Sequence, residues 1–257
     1  MNIGMTSVTF RNKNISEIVN IAKKANIDTI EWGGDIHCPP DNPDKAVLAA
    51  QLTVEHGLKV SSYGSYFKLG VSNISEFESV CSSAKLLSAP VVRIWGFNKS
   101  PAETSRDEYD KCVSEAKILS DTAKKYSLTV CFEYHRNTLT QDSNSAQRLI
   151  YDIGKENMKL YWQPNPDISH EKNCSELKCV LPYVINIHCF HWINEENEKN
   201  ARHLLSEGKK DWNNYISIAS QSRKIQNMII EFVKDDSDEN FLNDSVFLKN
   251  LIKTSNI

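Results

Sequence analysis

The chain has 257 residues, 40% of them hydrophobic and 25% charged, enough for one large globular core. Lys and Arg (30) nearly balance Asp and Glu (33), leaving a net charge of −3 and no long basic run, which argues against the Lys/Arg-rich face that nucleic-acid phosphates require. No apolar run approaches the roughly 18 residues of a membrane span.

The first residues, Met1 to Met5, lack a basic segment followed by an apolar stretch, so no signal peptide is expected. Seven cysteines are scattered at 38, 81, 112, 131, 174, 179 and 189. An odd, unpatterned set reads as reduced thiols in a cytoplasmic protein.

Along the chain, short runs rich in β-branched residues recur about every 30 residues, the length of a βαβ unit. Eight are predicted, at 2–8, 28–32, 59–63, 91–95, 129–133, 159–162, 184–188 and 228–232. Between the first two, Ile15, Ile18, Ala22 and Ala25 fall on one helical face, with Asn14 as N-cap and Glu17 three residues later. Helical spacing follows at 45–56, 75–87, 108–126, 145–153, 212–222 and 239–252. The weakest segment, near 174–180, predicts little more than a turn or two. Asp211 reads as a helix cap and Trp212 as its packing residue.

Strict alternation of strand and helix forces parallel strands with right-handed crossovers. Eight units without a composition break predict an α/β fold, a (β/α)8 barrel filling a single domain, 1–257. An open Rossmann-like sheet would want a glycine-rich turn after the first strand, where the chain has Ser7-Val8-Thr9-Phe10.

In such a barrel the active site lies at the C-terminal mouth. The strand ends there read Glu31-Trp32, Tyr63, Arg93-Ile94-Trp95, Glu133-Tyr134-His135, Gln163, His188 and Glu231. Glu133, His188 and Glu231 form a candidate metal set, with Gln163 adding an amide oxygen; such oxygen-rich donors with one imidazole suit Mn²⁺, Mg²⁺, Co²⁺ or Zn²⁺. The competing reading is an internal polar network in which Arg93 neutralises a glutamate, because buried carboxylates need some cationic partner.

Several fragments carry a family resemblance. They are Ile30-Glu31-Trp32-Gly33-Gly34-Asp35-Ile36-His37, Val92-Arg93-Ile94-Trp95, Phe132-Glu133-Tyr134-His135 with Thr138 and Thr140, and Tyr161-Trp162-Gln163-Pro164-Asn165. Ile187-His188-Cys189-Phe190-His191-Trp192, Glu207-Gly208-Lys209-Lys210-Asp211-Trp212 and Ile230-Glu231-Phe232-Val233 complete the series. In order and strand placement the chain resembles, nearly end to end, the sugar phosphate isomerase/epimerase family of xylose isomerase-like (AP endonuclease family 2) TIM barrels. The resemblance implies one divalent metal held by Glu133, Gln163, His188 and Glu231. At Gln163 the family usually has Asp, so this site carries one negative charge fewer.

It also implies a cytoplasmic isomerase or epimerase of a small sugar or sugar phosphate, compatible with a homodimer. Enediolate chemistry would use Glu133 and Glu231 both as ligands and as the acid–base pair. Substrate contacts are expected from Glu31, His37, Arg93, Trp95 and His135. Trp32 and Trp192 offer further apolar faces, His191 points less clearly to the mouth, and His56, His170 and His203 read as surface or loop residues. A dehydratase or isomerase of inosose-type ketones would use the same site. A non-catalytic sugar-binding barrel and an abasic-site endonuclease are the remaining alternatives.

Overall fold

The computed structural model describes residues 1–255. Its strands are β1 (Asn2–Thr6), β2 (Thr29–Gly33), β3 (Lys59–Lys68), β4 (Val91–Trp95), β5 (Thr129–Glu133), β6 (Met158–Trp162), β7 (Val184–Cys189), β8 (His191–Ile193), β9 (Ala201–His203) and β10 (Asn227–Ile230). Eight of them run parallel and close into a barrel in the order β1-β10-β7-β6-β5-β4-β3-β2. The helices are α1 (Ile15–Lys24), α2 (Pro43–Glu55), α3 (Phe77–Leu86), α4 (Arg106–Lys125), α5 (Ser143–Ile153), α6 (His170–Val180), α7 (Lys209–Ala219) and α8 (Asp238–Thr254). The expected (β/α)8 architecture is therefore present. No helix among the described residues is long and apolar enough to cross a membrane.

Local sequence accounts for the helix starts. Asn14 accepts from the Glu17 N–H while Glu17 reaches back to the Asn14 N–H, the reciprocal cap expected for α1. Ser105 and Glu108 repeat the device at α4. The cap of α7 is Gly208, not Asp211, which falls within the first helical turn; Trp212 packs inward as expected and donates to the Phe190 carbonyl at 3.2 Å.

Three expected strand ends and one expected short turn are corrected. β1 stops at Thr6, where Ser7–Phe10 turn into a short 3-10 helix. β3 runs on to Lys68, with a register shift against β4 between Gly64 and Lys68. β10 ends at Ile230, so Glu231 lies one residue past it, before Phe232 in the left-handed region (φ 45°). The segment expected to be a turn or two is α6, a full helix of 11 residues. Its inner face includes buried Asn173 and Glu176, which weakened the apolar periodicity.

The alternation of strand and helix does not foretell β8 and β9, which pair after β7 as a small antiparallel hairpin outside the barrel. Asn194 ties the hairpin to the β6–α6 loop through the Pro166 carbonyl (3.2 Å) and Asp167 (2.9 Å), and Asn200 accepts from Arg136 (3.1 Å).

Behind the hairpin, buried Asp244 of α8 accepts from the Leu205 N–H at 2.9 Å. Burial pushes its pKa up to about 7 from the ordinary 3.8, with the Leu205 N–H only partly opposing. The folded state thus holds this proton more tightly than the unfolded chain. The stabilisation is complete below pH 4 and is lost as pH rises through about 7. Asp244→Asn keeps an acceptor for Leu205 and removes the charge. It should raise Tm by on the order of 5 °C at pH 8 and change it little near pH 4; equal shifts in thermal scans at both pH values would contradict this.

Candidate active site

Side chains alternate across a strand, so residues two apart share a face. Val91, Cys131, Tyr161, Ile185 and Ile229 form an inner core cluster separate from the main core. Two residues further along β4 and β5 from Val91 and Cys131, and two beyond Tyr161 and Ile229, come Arg93, Glu133, Gln163 and Glu231. The polar ring therefore sits directly above an apolar plug. Asn186 ties the plug to the layer beneath it, donating to the Tyr161 hydroxyl at 2.6 Å and accepting from Asn227 at 2.8 Å.

At the centre of the ring is a buried charge cluster. Arg93 holds Glu31 Oε1 through Nε (3.1 Å) and Nη2 (3.0 Å), and Glu133 Oε2 through Nη1. Ser62 donates to the other Glu31 oxygen at 2.8 Å. Gly64 makes room for this arrangement: a Cβ there would meet Arg93 Nη2 at 2.6 Å. A guanidinium between two carboxylates is the pairing that lets such charges be buried.

His188 links this cluster to the remaining carboxylate. Its Nδ1 lies 3.1 Å from Gln163 Oε1 and 3.3 Å from Glu231 Oε2. Its Nε2 lies 3.3 Å from Glu31 Oε1, but off the hydrogen-bonding direction, so this fully buried nitrogen has no hydrogen-bond partner. The edge of the Tyr161 ring system packs on the imidazole at 5.1 Å. Glu133, Gln163 and Glu231 are only 4%, 8% and 6% exposed, so the protein, rather than bulk water, sets their electrostatics.

The three carboxyls are in unlike environments. Burial alone would raise Glu31, yet Arg93 and His188 outweigh it and hold the carboxyl well below the usual range. Glu133 is also lowered, because Arg93 and His188 overcome burial. Glu231 goes the other way: burial, with Glu133 nearby, exceeds the pull of His188 and Arg93 and raises it. His188 is raised, because Glu231 and Glu31 together outweigh burial.

The remaining expected contacts have different surroundings. His37 is buried with both ring nitrogens occupied, Nδ1 by Ser7 Oγ (3.0 Å) and Nε2 by the Lys13 carbonyl (3.0 Å). Trp32 packs away from the mouth, its Nε1 donating to Thr53 of α2 at 3.1 Å. Tyr63 likewise faces outward, donating to the Cys38 carbonyl at 2.8 Å. Trp95 and His135 stack at 4.9 Å with planes 17° apart, and Trp95 Nε1 is buried without a partner. His56 and His203 bond to backbone or loop carboxylates, whereas His170 lies half-buried among Asp211, Asn214 and Tyr215.

Sequence reasoning missed Tyr66. It lies in the extension of β3 with φ 58°, its ring 5.9 Å from the Arg93 guanidinium and its hydroxyl accepting from Arg11 at 2.7 Å. Left-handed backbone at a bulky residue costs on the order of 1–3 kcal/mol and clusters at functional sites. Burial raises its phenol to about 12. The register shift breaks the alternation that would have flagged it.

Residues 19–251 match the xylose isomerase-like TIM barrel family. No curated protein matches the sequence. Among solved structures, the probable 3-DHS dehydratase AsbF of Bacillus anthracis superposes with a TM-score of 0.82 at 16% identity, covering 97% of this chain and 99% of that one. A xylose isomerase-like TIM barrel protein of Mycobacterium smegmatis, in complex with magnesium, gives 0.76 at 14% identity, with 99% and 97% covered. D-allulose 3-epimerase of Methylomonas sp. gives 0.74 at 13%, with 98% of each chain covered. With its closed eight-stranded barrel and a match spanning nearly its whole length, the chain belongs to the xylose isomerase-like TIM barrel family.

Proposed function

We propose that the protein is a divalent metal-dependent isomerase or epimerase of a small sugar. The supporting observation is the convergence of Gln163 Oε1, His188 Nδ1 and Glu231 Oε2, with 3.1 and 3.3 Å between neighbours. Around a cation with donors at ~2.1 Å, adjacent octahedral positions are about 3 Å apart. Metal-bound histidines usually direct the other ring N–H at a carboxylate; the carboxylate near His188 Nε2 is Glu31, 3.3 Å away but out of line for a hydrogen bond. Among the described residues no three His, Cys, Asp or Glu side chains form a metal cluster by themselves. The donor set requires the Gln163 amide and Glu133, whose Oε2 is on Arg93.

Mn²⁺, Mg²⁺, Co²⁺ or Zn²⁺ would be held by Glu133, Gln163, His188 and Glu231. Such an ion supplies Lewis-acid stabilisation of negative charge developing on the sugar. The carboxylates do the proton work. Glu133 ends β5 and Glu231 follows β10, three strands away in the ring, so the two meet the substrate from different sides. One takes the proton from the carbon beside the carbonyl, and the other returns a proton to the opposite face or to the neighbouring carbon. Arg93 fixes Glu133 through Oε2 and leaves Oε1 for this role. Glu31 positions His188 and Arg93 rather than meeting substrate. Trp95 and His135 form one wall.

Loss of a hydroxyl after the same proton abstraction, as a dehydratase would catalyse, is the second reading; the likeness to the probable dehydratase favours it. A cytoplasmic location suits a protein whose seven cysteines are all free. Calorimetric titration with Mn²⁺ tests the metal set. One site per chain is expected in the wild type, and His188→Ala should weaken it at least ~10-fold, the usual scale for losing a ligand or its support. Equal affinity in the two proteins would remove His188 from the set.

A further inference from the structure

The three carboxyls of the cluster are not secured alike. Glu31 is held by Arg93 and Ser62, and Glu133 by Arg93. Among the described residues, the Glu231 carboxylate has only His188 within ion-pairing distance. Its aim therefore depends on its backbone, and that backbone has left the strand. The Glu231 N–H still bonds to the Cys189 carbonyl of β7 at 3.0 Å, after which Phe232 turns left-handed at φ 45°. Asp235 (φ 59°) and Asp236 (φ 48°) repeat the strain four and five residues past Glu231. Non-glycine residues keep such conformations only where their surroundings hold them there.

Phe232 is held from two directions. On the barrel side its N–H donates to Thr9 Oγ1 at 3.1 Å, in the 3-10 turn after β1. On the outer side its carbonyl accepts from Trp192 Nε1 at 3.3 Å. Trp192 belongs to β8 and pairs across the hairpin with Arg202 of β9. The Arg202 guanidinium lies 4.9 Å from the Phe232 ring and 6.0 Å from the Trp192 ring, and its Nη1 pairs with Asp236 at 2.5 Å. One cross-strand pair thus grips the segment after Glu231 at both its strained points.

The hairpin has the stiffness for this task. Trp192, expected to offer an apolar face, has its ring stacked on Phe190 at 4.0 Å. His191 is the preceding residue, whose side chain alternation sends to the other face of β8; its ring fills room left by Gly208, where a Cβ would meet Nδ1 at 2.5 Å. The hairpin follows directly on the strand of His188, and Asn194 anchors it to the loop after Gln163. It therefore spans the backbone behind all three converging donors.

We propose that Trp192 is a positioning residue: through the Phe232 carbonyl, with Arg202 beside it, the outer hairpin aims the Glu231 carboxylate at His188. The inference rests on the isomerase or epimerase reading and adds how its least secured carboxylate is set. The test is a double-mutant cycle read by Mn²⁺ calorimetry on the full chain. Trp192→Phe keeps an aromatic ring and removes the N–H. It should weaken Mn²⁺ at least ~10-fold, the scale for losing support behind a ligand. In a Glu231→Ala background the same change should cost no more than ~2-fold, because its target is gone. Arg202→Met, at a partly exposed position, takes its place in the cycle should Trp192→Phe not fold. Equal losses in both backgrounds, as a merely structural tryptophan would give, or no loss in the wild-type background would overturn the proposal. Wild-type Mn²⁺ affinity in Glu231→Ala itself would instead strike Glu231 from the metal set. The proposal is then decided by the crystal structure of the Trp192→Phe protein grown in chelator. Glu231 Oε2 should have moved out of hydrogen-bond reach of His188 Nδ1; a carboxylate still in place, over an unchanged Phe232, would overturn it.

Discussion

Replacing Glu231 by Gln should lower the rate of proton exchange at the sugar carbon beside the carbonyl by ~10²–10⁴-fold, the usual contribution of a positioned acid or base. Gln preserves size and an acceptor oxygen, so binding should suffer far less than the rate. Glu133→Gln should do the same. The double variant should be little worse than either single one, because residues that act as a unit are not additive. Deuterium incorporation followed by NMR reads all three proteins. Their environments already differ, with Arg93 on Glu133 and none of its nitrogens on Glu231. A Glu231→Gln protein exchanging at nearly the wild-type rate would mean that the carboxylate over His188 has another task.

Arg93→Met should be the most destabilising single change in the barrel. Arg93 is 3% exposed and holds both Glu31 and Glu133. Removing it leaves two buried carboxylates beside each other with only His188 for compensation. Breaking a buried ion pair typically costs about 3–5 kcal/mol, which in a chain of this size corresponds to roughly 10 °C or more in Tm. The loss should be greatest at neutral pH and shrink in acid, where the carboxyls take up protons. Glu31→Gln in the same background should restore part of it. Thermal scans in chelator isolate this effect from metal binding. An unchanged Tm at pH 7 would show that Arg93 is not the cation on which the cluster depends.

Arg93, Glu133, Gln163 and Glu231 were legible because each follows an inner plug residue of an apolar strand by two positions. Glu133, Gln163 and His188 sit at or beside strand ends, Glu231 lies one residue beyond β10, and Glu31 and Arg93 lie midway along their five-residue strands. Trp32 and Tyr63 were misplaced by reading neighbouring strand-end residues as one group, although alternation sends them outward, where they bond to Thr53 and the Cys38 carbonyl. His37 was legible as a polar residue near the mouth, yet its pairing was not, since its partners Ser7 and Lys13 lie on another turn of the chain. The same limit applies to Arg93. Sequence offers a cation near glutamates, while only the closed barrel brings Glu31 and Glu133 to its two sides. The hairpin leaves little sequence signal because its strands are three residues each and a run of polar residues joins them.

Removal of a proton from a sugar carbon adjacent to a carbonyl, at the barrel mouth, is the step on which all the chemistry above depends. Wild-type protein supplied with Mn²⁺ and incubated with ketohexoses in D2O measures it directly. Selective loss of one C–H resonance in at least one sugar, abolished by chelator, is the expected result. Spectra that stay unchanged across the panel, with Mn²⁺ bound, would contradict it.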